Sequence, residues 1–347
     1  MSNQLIQIFS QLGEFLSGFS KPGSYDSGSL KQSFENTIRT AHHKNPWFTE
    51  DNIRYALKSL AAMLREDDLR EWLSQYPNPV TGENSKKIGV VSAGNIPLVG
   101  FHDMLCVLAS GHAFYGKLSS KDNLLLPLVA DYLIDIQPDW ANKIVFEEEN
   151  LKSPDAIIAT GSDNSSRYFE YYFGKYPHII RGHRNGLAVL SGKESPEDLR
   201  CLGEDIFTYF GMGCRSVSKL MLPAGYCFDD FFESIASFGN YIHHHKYANN
   251  FEYHKSVYLM NRIQHLDNGF MILKEDEGMA SPLSVVYYSY YNSKEEIIDY
   301  IHLYRDKIQC IVGNDILKEM IPFGQTQKPK LWDYADEKDT LNFLHNL

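Results

Sequence analysis

The stretch IGVVSAGNIPLVG, residues 88–100, sets the architecture. Ile88 to Ser92 is a short apolar run with no helical period, which predicts a buried strand. Ala93-Gly94-Asn95 follows as a turn, and Pro97 suits the opening of the next helix. Outward from there the chain alternates. A helix is predicted over Phe101–Leu108, a strand over Ala113–Leu118 and a helix over Leu124–Ile134. Two more strands follow at Lys143–Phe146 and Ala156–Thr160. Such β-α-β alternation implies a parallel sheet with helices on both faces. From Leu187 the pattern restarts. Strands are read at 187–190, 219–223, 284–291 and 309–313, and helices at Pro196–Tyr209, Phe228–Tyr241 and Glu295–Tyr304. Before residue 80 the reading is helical, with SYDSGS (24–29) as a loop and one helix over Ile53–Leu73 ending near Pro77 and Pro79.

The 347 residues suit two domains, and 43% hydrophobic with 22% charged residues is an ordinary globular mixture. A formal net charge of −11 disfavours nucleic acid and anionic membrane surfaces, while a local basic pocket for an anionic cofactor remains compatible. The five cysteines, Cys106, Cys201, Cys214, Cys227 and Cys310, are widely spaced with no CxxC, which argues against a disulfide framework or zinc site and for a reducing compartment. The N-terminus, apolar in a helical rhythm, lacks a basic n-region and contains Glu14, so it does not read as a signal peptide. No stretch approaches the ~20 apolar residues of a membrane span. The expected location is cytoplasmic.

Two segments carry chemistry. In TYFGMGCRSVSKL (208–220) a cysteine follows a glycine-flanked turn, where the backbone can approach a substrate and a thiolate can attack an acyl carbon. Standing alone, a cysteine is more often a small buried hydrophobe. In VVSAGNIPLVG (90–100) the amide of Asn95 at a strand end can donate to a developing oxyanion, although an Asx turn before Pro97 is the plainer reading. Other features take structural readings. His243, His244, His245 and His254 read as a solvated helix face and imply no metal. Arg167, Lys175, Arg181, His183 and Arg184 read as scattered surface charge, although such groups can meet phosphates. YFEYYF (168–173) reads as core and interface, and Cys106 and Cys310 as buried.

Taken in order, five motifs resemble the aldehyde dehydrogenase superfamily, and within it the LuxC-like acyl-CoA reductases: GNIP around Asn95, GKLSSKD around Lys117, ATGS at 159–162, FGMGCRSVSKL around Cys214 and IPFGQTQKP at 321–329. The tail LWDYADEKDTLNFL is similar to the ending of LuxC-like proteins. The resemblance runs from about residue 85 to the end. It implies an α/β fold with a Rossmann-type cofactor domain and a second α/β catalytic domain. The expected extents are a helical region packing on the cofactor domain (1–84), a cofactor-binding domain (85–185), a catalytic domain (186–315) and a C-terminal return segment (316–347). It further implies Cys214 as nucleophile and Asn95 as oxyanion donor. Lys117, Ser119, Ser120, Lys121, Gly161, Ser162 and Glu277 become cofactor contacts.

The departures refine this expectation. Oxidative members of the superfamily carry a water-activating Glu before a double glycine, and aligning Asn185–Val189 with the following strand puts Ile180 at that place. This favours forming and reducing a thioester over hydrolysing one. The family's Glu-x-Phe-Gly-Pro motif is here EGMASPL, which leaves the register of Glu277 in doubt. Where NAD-preferring members place a Glu after Lys-x-Ser, Ser120 and Lys121 stand, which favours NADPH over NADH. The expected reaction is reduction of an acyl thioester, fatty acyl-CoA by family analogy, to an aldehyde. Two other reductive types remain open, a short-chain CoA-acylating dehydrogenase and a glutamyl-phosphate reductase. So do a cofactor-free cysteine acyltransferase or thioesterase and a non-catalytic binding protein. Members of the family can work with an acyl-activating protein partner, and the sequence leaves that and homo-oligomerisation open.

Overall fold

The computed structural model describes residues 2–147, 151–314 and 316–347. The domain boundary expected at residue 315 falls outside them. The chain forms two compact units, Met1–Gly182 with Lys328–Leu347, and His183–Gln327.

In the first unit the described residues form a five-stranded parallel sheet from β1 (Lys87–Val91), β2 (Ala113–Lys117), β3 (Ile144–Phe146), β4 (Ala156–Thr160) and β5 (His178–Arg181), in the order β3-β2-β1-β4-β5. Between them run α5 (Phe101–Ser110), α6 (Leu125–Ile136) and α7 (Asp163–Phe173). The strand order reverses between β1 and β4, and in such sheets ligands bind outside the carboxyl ends of the strands at that switch point. The N-terminal helices α1 (Ser2–Ser17), α2 (Leu30–Lys44), α3 (Glu50–Met63) and α4 (Glu66–Ser74) share one hydrophobic core with this sheet's helices. Phe15 of α1, for instance, stacks on Tyr132 of α6 at 3.9 Å.

The single helix expected over Ile53–Leu73 is two. It breaks at Leu64-Arg65, because Glu66-Asp67-Asp68 forms a fresh acidic first turn that complements the dipole of α4. The final helix, α12 (Thr340–His345), packs beside α5, with a ring nitrogen of His112 2.9 Å from the Leu344 carbonyl oxygen.

The second unit holds a six-stranded sheet in the order β11-β6-β7-β10-β9-β8: β6 (Asn185–Val189), β7 (Val217–Pro223), β8 (Leu266–Asp267), β9 (Ile272–Glu275), β10 (Val285–Tyr291) and β11 (Ile308–Val312). Among the described residues its neighbouring strands pair in parallel, except β8 against β9. Its helices are α8 (Pro196–Phe207), α9 (Asp229–Ser234), α10 (His245–Met260) and α11 (Lys294–Leu303). α8 begins on a capping box, Ser195 with Asp198, with Pro196 in the first turn. The helix expected over Phe228–Tyr241 is the short α9 followed by a 3-10 stretch, Ala236–His243. No described helix is long and apolar enough to cross a membrane.

Candidate active site

In the first unit two loops meet at the carboxyl edge of the sheet. β1 runs into Ser92–Gly100 and β2 into Leu118–Leu124. A Cβ on Gly94 would lie 2.7 Å from Ser119 Oγ and 3.0 Å from Lys121 Cβ, so only glycine permits this approach. Two side chains tie the loops together. The Asp122 carboxylate accepts the Leu98 amide at 2.8 Å, and Asn45 Nδ2 donates to the carbonyls of Gly94 and Lys121, both at 3.4 Å. Asp122 is buried, and burial pushes its pKa up to about 6 against the pull of backbone amides. Leu98 takes φ 63° in the same turn. Asn95 sits half-buried in the loop held this way; Lys117, the last residue of β2, and Ser119 are half-buried, and Ser120 and Lys121 are exposed.

β4 ends at the same edge. Gly161 donates to the Arg181 carbonyl at 3.2 Å, and a Cβ there would meet Ser165 Cβ at 2.7 Å and Phe169 Cε2 at 2.9 Å, so α7 sits directly on the strand end. Ser162 caps α7, accepting the Ser165 amide at 3.3 Å. Along α7 runs a groove of about 520 Å³ walled by Leu151, Tyr168, Phe169 and Tyr172, with Val91 and Lys117 at the strand ends. The residues lining it include Lys117 but not Ser119, Ser120 or Lys121.

The groove corrects the reading of YFEYYF as core. Tyr168, Tyr171 and Tyr172 are 66%, 82% and 62% exposed, and no side chain of α7 is buried. Arg181, read as surface charge, is buried instead. It makes a two-oxygen pair with Asp103 at 2.8 and 2.9 Å and donates to Thr340 Oγ1 at 2.7 Å, tying β5 to the C-terminal helix. Ile180 lies buried among Ile157, Ala159 and Val91, an aliphatic environment.

In the second unit Cys214 lies half-buried in the turn between a 3-10 segment, Thr208–Gly211, and β7. Tyr209, Phe210 and Gly211 take φ 56°, 59° and 76°, three successive left-handed residues. Two of them are not glycine, which is strain that the surroundings must hold. An aromatic nest does so: the Phe210 ring lies 4.4 Å from that of His244 and 5.2 Å from Tyr241. Past the cysteine, the Ser216 amide closes the turn on the Gly213 carbonyl at 2.9 Å, and Gly186 of β6 donates to the Ser216 carbonyl at 2.8 Å. A Cβ on Gly186 would sit 2.8 Å from the Arg215 carbonyl oxygen, so the strand presses on the turn backbone.

The return segment 324–327 locks the other side. Arg215 Nε donates to the Thr326 carbonyl at 2.6 Å, and Gln327 Nε2 to Ser216 Oγ at 3.3 Å. Asp205 of α8 in turn accepts the amides of Gly324 and Thr326 and the Thr326 hydroxyl, at 2.7, 3.0 and 2.8 Å. Burial pushes the Asp205 pKa up to about 6, with those donors acting against it.

Glu277 is exposed in the loop after β9, and its backbone carbonyl accepts the Tyr300 hydroxyl at 3.1 Å. Beneath that loop Lys219 of β7 is fully buried, donates to the Asp276 carbonyl and lies over the Tyr300 ring at 5.3 Å. Burial pushes its pKa down to about 8, while Glu277, Asp276 and Glu275 act the other way. Cys106 and Cys310 are buried, Cys201 is half-buried and Cys227 exposed.

Asn45, Asp122, Asp205 and Lys219 were not singled out in the sequence. Asp205 left one trace: it lies three residues after Leu202 and next to Ile206, an acid on a helix face that is otherwise apolar.

No family model and no curated protein matches the chain. Solved structures do. Aldehyde dehydrogenase 21 from Physcomitrella patens, in complex with the reaction product succinate, superposes with a TM-score of 0.65 over 98% of this chain and 84% of that one, at 13% identity. An indole-3-acetaldehyde dehydrogenase of P. syringae, a cysteine-to-alanine mutant bound to NAD+ and IAA, gives 0.61 over 86% and 69%, at 11% identity. An NAD-dependent benzaldehyde dehydrogenase from Corynebacterium glutamicum gives 0.60 over 86% and 73%, at 11%. The fold is therefore aldehyde dehydrogenase-like, a Rossmann-type unit with a second α/β unit.

Proposed function

We propose that this chain reduces an acyl thioester, fatty acyl-CoA in the first instance, to an aldehyde, with Cys214 as nucleophile and NADPH as the preferred reductant. The observation that carries the reading is the Cys214 turn. In an aldehyde dehydrogenase-like fold, a half-buried thiol stands ahead of a central strand, with its flanking backbone fixed by Gly186, Arg215 and Gln327.

Cys214 attacks the carbonyl carbon as its thiolate, forming a C–S bond while the π electrons move onto oxygen. The backbone amide of Cys214 and the side chain of Asn95 are the donors assigned to that oxygen. Collapse restores the C=O bond and expels the first thiolate, leaving the acyl group on Cys214. A reduced nicotinamide bound to the first unit would supply a hydride to the acyl carbon, and cleavage of the C–S bond would then return the Cys214 thiolate and free the aldehyde. The groove along α7 fits such a cofactor: Tyr168, Phe169 and Tyr172 offer ring faces to an adenine, and Lys117 at its rim offers a cation to a ribose or phosphate. Gly161 and Ser162 open α7 at the same edge, and Ser120 and Lys121 keep a 2′-phosphate acceptable where a carboxylate would repel it. Ile180, at the place assigned to the water-activating Glu, provides no base for hydrolysis.

The test is a burst experiment. Acyl-CoA without reductant should release about one CoA per Cys214 and then stall, leaving an acyl adduct on the Cys214 peptide. NADPH, more effectively than NADH, should discharge it as aldehyde. An adduct on another cysteine overturns the nucleophile. Steady release of free fatty acid without reductant identifies a thioesterase. Activity confined to short acyl chains or acyl phosphates identifies a different reductive branch.

A further inference from the structure

We propose that Asp205 is a positioning residue for the Cys214 thiol, acting through residues 324–327 on the backbone that flanks it. The proposal rests on the reading of Cys214 as nucleophile.

The contacts form a chain of three links. Asp205, 1% exposed, uses Oδ2 for the Gly324 amide and Oδ1 for both the amide and the hydroxyl of Thr326. Thr326, itself 0% exposed, then has its carbonyl turned to Arg215 Nε, and the next residue, Gln327, reaches Ser216 Oγ. Arg215 and Ser216 are the two residues after Cys214, and Ser216 closes the turn on Gly213. The chain of bonds thus ends on the neighbours of Cys214, and Asp205 acts on the thiol through them.

Two features separate this from ordinary packing. First, a buried carboxylate whose shown donors are two amides and a hydroxyl, with no ion pair to it among the described residues, is an expensive way to fasten a loop. Secondly, the two oxygens of a carboxylate accept all three bonds without offering a competing hydrogen. Asparagine would point an NH2 group at one of the donors. The segment also lies close on α8: Gly324 takes φ 77°, and a Cβ there would meet Cys201 Cβ at 3.1 Å. Small changes in Asp205 therefore pass into the orientation of the Thr326 carbonyl, and from it into Arg215.

The test combines hydrogen exchange, kinetics and two positions. In the full-length protein Asp205→Asn should speed amide exchange in peptides covering 322–328 and also in those covering 212–217. It should lower kcat for acyl-CoA reduction by roughly 10- to 100-fold, as a displacement of about 1 Å does, with KM changed less than about twofold. Thr326→Val, which removes one of the three bonds and keeps the charge, should reproduce part of both effects, and Thr326→Ser should restore the parent values. Faster exchange at 322–328 with unchanged exchange at 212–217 and unchanged kcat overturns the proposal, because Asp205 then fastens only the return segment. Should Asp205→Asn fail to fold, equal behaviour of the Val and Ser variants at Thr326 overturns it instead. The exchange measurement needs no turnover, so an inactive parent protein would count against the proposed function and leave this inference to be decided separately.

Discussion

Replacing Lys219 with methionine should stabilise the protein at neutral pH and impair it as a cofactor-dependent catalyst. Lys219 is fully buried on β7, and burial pushes its pKa from 10.5 down to about 8. A depression of that size corresponds to roughly 3 kcal/mol of penalty for carrying the charge inside the fold at pH 7. The sign follows from proton counts. Between pH 8 and 10.5 the unfolded chain binds more protons at this residue than the native one, so native stability rises as pH rises through that window and this group contributes no slope below it. Methionine fills similar volume without a charge. It forfeits the hydrogen bond to the Asp276 carbonyl, about 1 kcal/mol, so the net gain at pH 7 is about 1–2 kcal/mol. That gain should shrink toward zero or reverse by pH 10. Urea unfolding of both proteins at pH 7, 8, 9 and 10 reads the difference directly. The lost anchor also frees the loop that carries Glu277, so KM for the nicotinamide cofactor should rise while the Cys214 burst is unchanged. A stability difference constant across the pH range would refute the reasoning, since it would mean that Lys219 is not the group titrating in that window.

Two further outcomes are expected. Asn95→Ala should slow turnover by roughly 10²–10³ while leaving acyl-CoA binding nearly unchanged, and a near-parent rate with the fold intact removes Asn95 from the oxyanion site. The rate should also show an acid limb near pH 6, where Asp122 and Asp205 take up protons and stop accepting from their full sets of donors. Both pKa values are raised above the ordinary carboxylate value, so the native state binds more protons than the unfolded chain between about pH 4 and 6, and these two groups raise stability as pH falls through that window. Loss of rate there should thus occur without unfolding. A limb that coincides with loss of the circular dichroism signal contradicts it.

Four strands of the first sheet were legible, β1 and β4 because they are near-continuous apolar runs of the kind a parallel sheet buried on both faces requires, whereas the short edge strand β5 (His178–Arg181), with a histidine and an arginine at its ends, was not read. The Cys214 and Asn95 turns were legible because glycine and proline mark them. What escaped were residues defined by partners far along the chain. Asp205 meets Thr326 across 121 positions and Arg181 meets Thr340 across 159, and no local periodicity encodes either pair. Lys219, in VSKLMLP, has the form of a strand's polar position and is buried because Asp276 and Tyr300 converge on it. The tyrosines of α7 misled in the opposite direction. Aromatic residues at helical spacing normally mark a core, and here they border an open groove. The break between α3 and α4 was a matter of charge, since the helical period continues through it while Glu66-Asp67-Asp68 favours a new N-terminus.

Asp122 and Asp205 solve the same problem in separate units. Loops leaving the end of a sheet carry backbone amides that the strand ladder no longer pairs, and buried amides need acceptors. A carboxylate, with its several lone pairs, is the side chain best able to take two or three such donors at once. Asp122 does this for the loop that holds Asn95, and Asp205 for the segment braced against Cys214. In both, burial outweighs the donors and leaves the pKa near 6, so each loop is held by a charge that the surroundings only just keep ionised at neutral pH. The geometry of each loop consequently depends in part on a carboxylate outside it. A substitution that alters the burial of either aspartate would disturb the candidate catalytic loops without touching a residue in them.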